Sequence, residues 1–245
     1  MSTLENALLS CYDSCDILNL QAQMPLYFAW FLSRRKNMAL TVKSLFDTPK
    51  TERMSARQYI DHPLSERKSD LIEGVFVMAS PASYVHENVQ SFVLTAMKNY
   101  VDARDLGEVM GPNTAYRLSE ENVFQPDVSF IRAARVRLAR AVYFPGPPDI
   151  AVEIVSPSSR HYDEFEKMVN YGRYGVQEYW LINPMDETAL FYTRVDGEWM
   201  PIPAEKGIVR SQVLDGFWLK MDWIFPPARS KRPSVLEIAQ AQGIV

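Results

Sequence analysis

At 245 residues, 47 % of them hydrophobic, the chain is long enough to bury one substantial core. Its net charge of −4 and pI near 5.5 exclude a strongly basic nucleic-acid binder and leave room only for a local basic strip. Cys11 and Cys15 are the only cysteines; with no CxxC pair or Cys/His cluster they fit a reducing cytosol and argue against a cysteine-based zinc site.

The first notable segment, "MPLYFAWFLSRR", is apolar for about eight residues before Arg34 and Arg35, too short to cross a bilayer. It also lacks the leading positive charge and small-residue cleavage site of a signal peptide. A membrane is therefore not an expected partner, and a cytoplasmic location is expected. Composition shifts at Met38, where "MALTVKSLFDTPKTERMSARQYIDHP" reads as a capped, helical entry to a domain. Residues 1–37 are expected to be a poorly ordered N-terminal extension, an artefact of start-site choice with Met38 as the natural start. Residues 38–228 read as one domain and residues 229–245 as a proline-broken, weakly helical tail.

Within the domain, "DLIEGVFVMAS" (70–80) predicts a strand pair turning at Glu73-Gly74. "SYVHENVQSFVLTAMKNYVDA" (83–103) has apolar residues at helical spacing behind a Ser83 cap. "VFQPDVSFI" (123–131) and "DIAVEIVS" (149–156) predict strands rich in Val, Ile and Phe. "RHYDEFEKMVNYGRYG" (160–175) predicts a helix stopped by Gly175, and "EYWLINP" with "TALFYTRVDGEWM" predicts three further strands joined in part by an Asp-Gly turn. The expected fold class is α/β, a mixed central sheet flanked by helices.

Two strands carry acids where an apolar residue would be ordinary. Alternation puts Asp149, Ala151, Glu153 and Val155 on one face of their strand and Ile150, Val152, Ile154 and Ser156 on the other. A lone buried carboxylate is costly, so Glu153 must be neutral, ion-paired or cation-bound. A structural pair with an arginine is the plain alternative. Asp127 repeats the pattern in "QPDVSFI", and two such acids on neighbouring strands would make a hard-oxygen site suited to Mg²⁺ or Mn²⁺. Asp163, Lys167 and Tyr171 follow at i, i+4 and i+8, along one helix face. That spacing also describes a solvated salt-bridge row, but the helix starts close behind the Glu153 strand and can aim Lys167 back at it.

"QPDVSFI", "PPDIAVEIVSPSS" and "DEFEKMVNYGRYGVQEYWLINP" together resemble the PD-(D/E)XK nuclease superfamily and, within it, the Uma family of restriction-endonuclease-like proteins. The likeness runs from about Met38 to Phe225 and takes in "DLIEGVFVMASPASYVHENV" and "LDGFWLKMDWIF". It implies a restriction-endonuclease-like core with Asp127, Glu153 and a lysine as the catalytic set. The superfamily's usual motif would put that lysine at position 155, here Val155; the family carries it on the following helix, where Lys167 matches. Asp70 stands where the family tends to have glutamate, and His86 follows a proline-containing loop where the family also has histidine. A polar residue satisfied at the start of a helix is the plain reading of His86. Asp163 and Tyr171 match the helix pattern in supporting roles, while Tyr179 and Trp180 read as core.

The implied reaction is metal-dependent hydrolysis of phosphodiester bonds in nucleic acid, DNA before RNA, by a monomer or homodimer. Asp127, Glu153 and the backbone carbonyl of Ile154 would hold Mg²⁺ or Mn²⁺, and Lys167 would orient water or offset charge at phosphorus. Arg132, Arg135, Arg137 and Arg140 in "IRAARVRLARA" are candidates for phosphate contact, or else an exposed basic helix without a partner. The alternative function is a nuclease fold retired from catalysis and kept as a nucleic-acid-binding or interaction module.

Overall fold

Turn chemistry and strand alternation set the architecture. The computed structural model describes residues 53–156, 162–228 and 230–245. These residues fall within one compact unit, Glu52–Val245. The expected extension, residues 1–37, and both cysteines lie outside the described residues.

A short helix, α1 (Ala56–Ile60), opens the described chain behind a capping box of Ser55 and Gln58. Strands β1 (Ser69–Ile72) and β2 (Val75–Met78) then pair as the expected hairpin. Its two turn residues, Glu73 and Gly74, have φ of 47° and 80°, the left-handed pair that a two-residue turn needs to match strand twist. Helix α2 (Tyr84–Arg104) starts at Ser83, whose hydroxyl accepts from the His86 N–H.

The remaining strands are β3 (Gly107–Met110), β4 (Tyr116–Arg117), β5 (Val123–Phe124), β6 (Val128–Arg132), β7 (Phe144–Pro145), β8 (Ile150–Ile154), β9 (Glu178–Asn183), β10 (Thr188–Val195), β11 (Glu198–Pro201), β12 (Ile208–Arg210) and β13 (Trp218–Lys220). They form a five-stranded sheet in the order β2-β1-β5-β4-β7, a six-stranded sheet in the order β11-β10-β9-β8-β6-β3, and the β12–β13 pair. The six-stranded sheet is mixed: β8 and β9 are parallel, and its other neighbours are antiparallel. The single strand expected over 123–131 is two, β5 and β6, in different sheets. Pro126 lacks a ladder donor, so the chain leaves one sheet at Gln125 and enters the other after Asp127.

The alternation expected along β8 holds. Ile150, Val152 and Ile154 join Trp180 and Ile182 in the large core against α2, where Val93, Met97 and Tyr100 are buried. Ala151 and Val155 lie on the opposite face with Tyr171, Tyr179 and Leu181. Both Tyr179 and Trp180 are fully buried, as expected of core residues.

Two predicted helices differ from expectation. The basic segment 131–141 contains only one helical turn, α3 (Ala133–Val136), because Arg132 belongs to β6 and a turn follows Val136. The segment predicted as one helix over 160–175 is described from Tyr162. It is a π-helical turn, Tyr162–Lys167, leading into α4 (Met168–Tyr174) and stopping at Gly175 with φ of 97°. Farther on come α5 (Met221–Ile224) and α6 (Val235–Ala241). A capping box of Ser234 and Glu237 starts α6, and Ile238 enters the large core, so this part of the expected tail is folded against the domain. No helix among the described residues is long and apolar enough to cross a membrane.

Candidate active site

Glu153 sits near the end of β8, 1 % exposed, between β6 and β9. A carboxylate there needs donors from outside the ladder, and the next segment of chain delivers them. Its Oε1 accepts the Tyr171 hydroxyl hydrogen bond at 2.7 Å, and its Oε2 lies 2.9 Å from Lys167 Nζ. Lys167 closes the π-helical turn and Tyr171 follows one turn later in α4, so both reach the same acid. Single π-turns recur at functional sites because they re-aim side chains relative to an α-helix. The Trp199 indole donates to the Met168 carbonyl at 3.0 Å and fastens this junction to β11.

The same ammonium lies 3.3 Å from Asp70 Oδ2, so Lys167 bridges acids from two sheets. Asp70 Oδ1 accepts the Gln125 backbone N–H at 2.7 Å, which fixes β1 to the chain crossing between sheets.

Asp127 occupies that crossing. Val128 pairs with Val152, so Asp127 lies one step farther on, beside Glu153. Its Oδ2 accepts the Ile154 N–H at 2.7 Å and faces His86 Nε2 at 3.5 Å, while Lys68 forms an ion pair with Oδ1. Gln90, one turn beyond His86 on α2, donates to the Asp127 backbone carbonyl at 3.1 Å.

These contacts decide protonation. Burial alone would push the Asp127 carboxyl up, but Lys68, His86 and Lys167 outweigh it and hold the carboxyl well below its ordinary value. For His86 burial pulls downward, and the Asp127 carboxylate outweighs it, so the imidazole holds its proton above the ordinary value. Burial and the Glu153 charge push the Tyr171 hydroxyl up, keeping it a donor.

Asp70, Glu153 and Tyr171 are thus gathered around Lys167, and Asp127, beside them at the neighbouring strand, forms a second group with His86. Asp163 lies in the π-helical turn, and its side chain falls outside the described residues. The arginines divide. Arg135 pairs with Asp149 at 3.0 Å and donates to the Pro147 carbonyl at 2.6 Å, and Arg132 lies 3.5 Å from Asp149. Arg137 and Arg140 are exposed. The sequence reading passed over Lys68, Gln90 and Gln125. Lys68 had a signal: it stands two residues before Asp70, the spacing that shares a strand face.

The donor chemistry of three carboxylates matches a hard divalent cation. Among the described residues, however, no group of three His, Cys, Asp or Glu side chains is already spaced to hold a metal ion. The ammonium groups of Lys68 and Lys167 stand among the acids instead.

Residues 56–222 match the Uma2 family model, described as "Putative restriction endonuclease". No curated protein matches the chain. The fold is similar to a crystal structure described as a "putative nuclease belonging to DUF820" from Anabaena variabilis, at 19 % identity and a TM-score of 0.62, covering 70 % of this chain and 97 % of that one.

Proposed function

Because the chain belongs to the Uma2 family of restriction-endonuclease-like proteins, we propose that it is a metal-dependent endonuclease that hydrolyses phosphodiester bonds in DNA. One observation carries this reading: Lys167 lies 3.3 Å from Asp70 and 2.9 Å from Glu153, with Asp127 beside them at the crossing between sheets. A buried acid cluster sharing an ammonium is costly to assemble, and it has the chemistry that phosphoryl transfer requires.

Asp127, Glu153 and the Ile154 carbonyl would hold Mg²⁺ or Mn²⁺, which supplies Lewis-acid polarisation of the scissile phosphate. The Tyr171 hydroxyl fixes one Glu153 oxygen, and the Lys167 ammonium lies 2.9 Å from the other. Lys167 presents a compact charge where negative charge grows on phosphorus. His86 and the Ile154 N–H orient Asp127. Exposed Arg137 and Arg140 are the better placed of the four arginines to meet backbone phosphates, since Arg132 and Arg135 are engaged with Asp149.

The alternative is a binding module without catalysis. It draws on the ammonium groups among the acids and on the lack, among the described residues, of a ready-spaced metal cage. Incubation with plasmid, linear and single-stranded DNA in Mg²⁺ and Mn²⁺ tests the choice. The parent should cut at least one substrate and Glu153→Gln should cut none. DNA binding without metal-dependent cleavage would favour the alternative.

A further inference from the structure

The two lysines of the site are held differently. Lys167 has a side chain only 4 % exposed and lies between two acids. Lys68 is 26 % exposed along its side chain, and its backbone is fixed, its carbonyl accepting the Ala79 N–H at 3.1 Å. It therefore has an anchored root and an outward path for its flexible stem. Its ammonium pairs with Asp127 Oδ1, while Oδ2 is engaged by Ile154 N and faces His86. Any cation that approaches Asp127 through Oδ1 meets Lys68 first.

We propose that Lys68 is an exchangeable counter-ion: it occupies the cation position on Asp127 until a divalent ion displaces it, and its released ammonium then binds the phosphodiester. The proposal rests on the nuclease reading. Charge supports it. With Lys68 withdrawn, Asp70, Asp127 and Glu153 face the ammonium of Lys167 and the His86 imidazole, and a net negative charge that attracts a cation remains in either protonation state of His86. The released lysine then matches the single charge of one phosphodiester.

The test compares the full-length parent, Lys68→Met and Asp127→Asn by calorimetric titration with MgCl₂ and MnCl₂, then by plasmid cleavage at saturating metal. Methionine keeps an unbranched stem without the charge, and thermal melts check folding. Lys68→Met should bind the ion about three- to tenfold more tightly, the scale of a partly exposed ion pair, yet cut at least about tenfold more slowly. A residue with a purely structural role would weaken both. Asp127→Asn should lose metal binding. Equal or weaker metal affinity in folded Lys68→Met, or parental cleavage by it, overturns the proposal. Metal binding by the parent with tighter binding by Lys68→Met, but no cleavage of any substrate, supports displacement and overturns the nuclease reading. No binding by the parent overturns both.

Discussion

Glu153 and Glu178 lie on adjacent parallel strands, 1 % and 0 % exposed, yet their partners differ in kind. Glu178 accepts from the Trp180 indole at 2.6 Å, the Ser211 hydroxyl at 3.0 Å and the backbone N–H groups of Gln212 and Val213 at 2.8 and 2.9 Å. All four donors are neutral, and two are main chain. Glu153 instead shares the ammonium of Lys167 with Asp70. A turn that wraps an acid in N–H groups cannot release it without unfolding, so Glu178 ties the segment after β12 to the sheet. Beside it, the Lys68 ammonium on Asp127 can yield to another cation. The contrast separates a buried acid that holds the fold from one that belongs to a cluster able to exchange a cation.

Removing the shared cation should have the largest effect. Lys167→Ala leaves Asp70 and Glu153 buried side by side without their common counter-charge. Cleavage should fall by at least about a hundredfold, and urea denaturation should show a loss of about 3 kcal/mol. Parental cleavage by this variant would make Lys167 structural only.

Glu178→Ala should act on stability alone. Four donors lose their acceptor, which costs about 2–3 kcal/mol, while cleavage per folded molecule and metal affinity stay at parental levels. A matching loss of activity would erase the distinction between the two acids.

Gly172→Ala probes the seat of α4. A Cβ there would come within 2.8 Å of the Trp199 indole nitrogen, which already donates to Met168 beside Lys167. Overpacking should exceed the helix-propensity gain, with a net loss of about 1–2 kcal/mol and a several-fold drop in cleavage as Lys167 shifts.

The smallest effect concerns pH. Burial, outweighing the four donors, raises the Glu178 carboxyl above its ordinary value of 4.5. A raised folded value means that its stabilisation is present below pH 4.5 and lost as pH rises through the folded value. The melting temperature of the parent should carry this downward contribution above pH 4.5, and Glu178→Gln should lack it.

The acids of the site were legible because charge inside an apolar strand is conspicuous: Glu153 in "IAVEIVS" and Asp127 after Pro126 both stand out against β-forming neighbours. Hairpins at Glu73-Gly74 and Asp196-Gly197 were legible from turn chemistry, and both pairs take positive φ. The division into two sheets was not, because alternation reports which face a residue occupies and not which strand it pairs with. Nor was the π-helical turn, whose composition matches an ordinary helix. Glu178 escaped notice because its donors include Gln212 and Val213 main chain, far along the sequence and without a side-chain signature.

The central claim, that the Glu153 cluster and not Glu178 is the exchangeable site, is tested most directly by titrating Mg²⁺ into the parent, Glu153→Gln and Glu178→Gln under identical conditions. The account predicts saturable binding of one ion by the parent and by Glu178→Gln, and none by folded Glu153→Gln. Undiminished binding by Glu153→Gln, or its loss in folded Glu178→Gln, would contradict it.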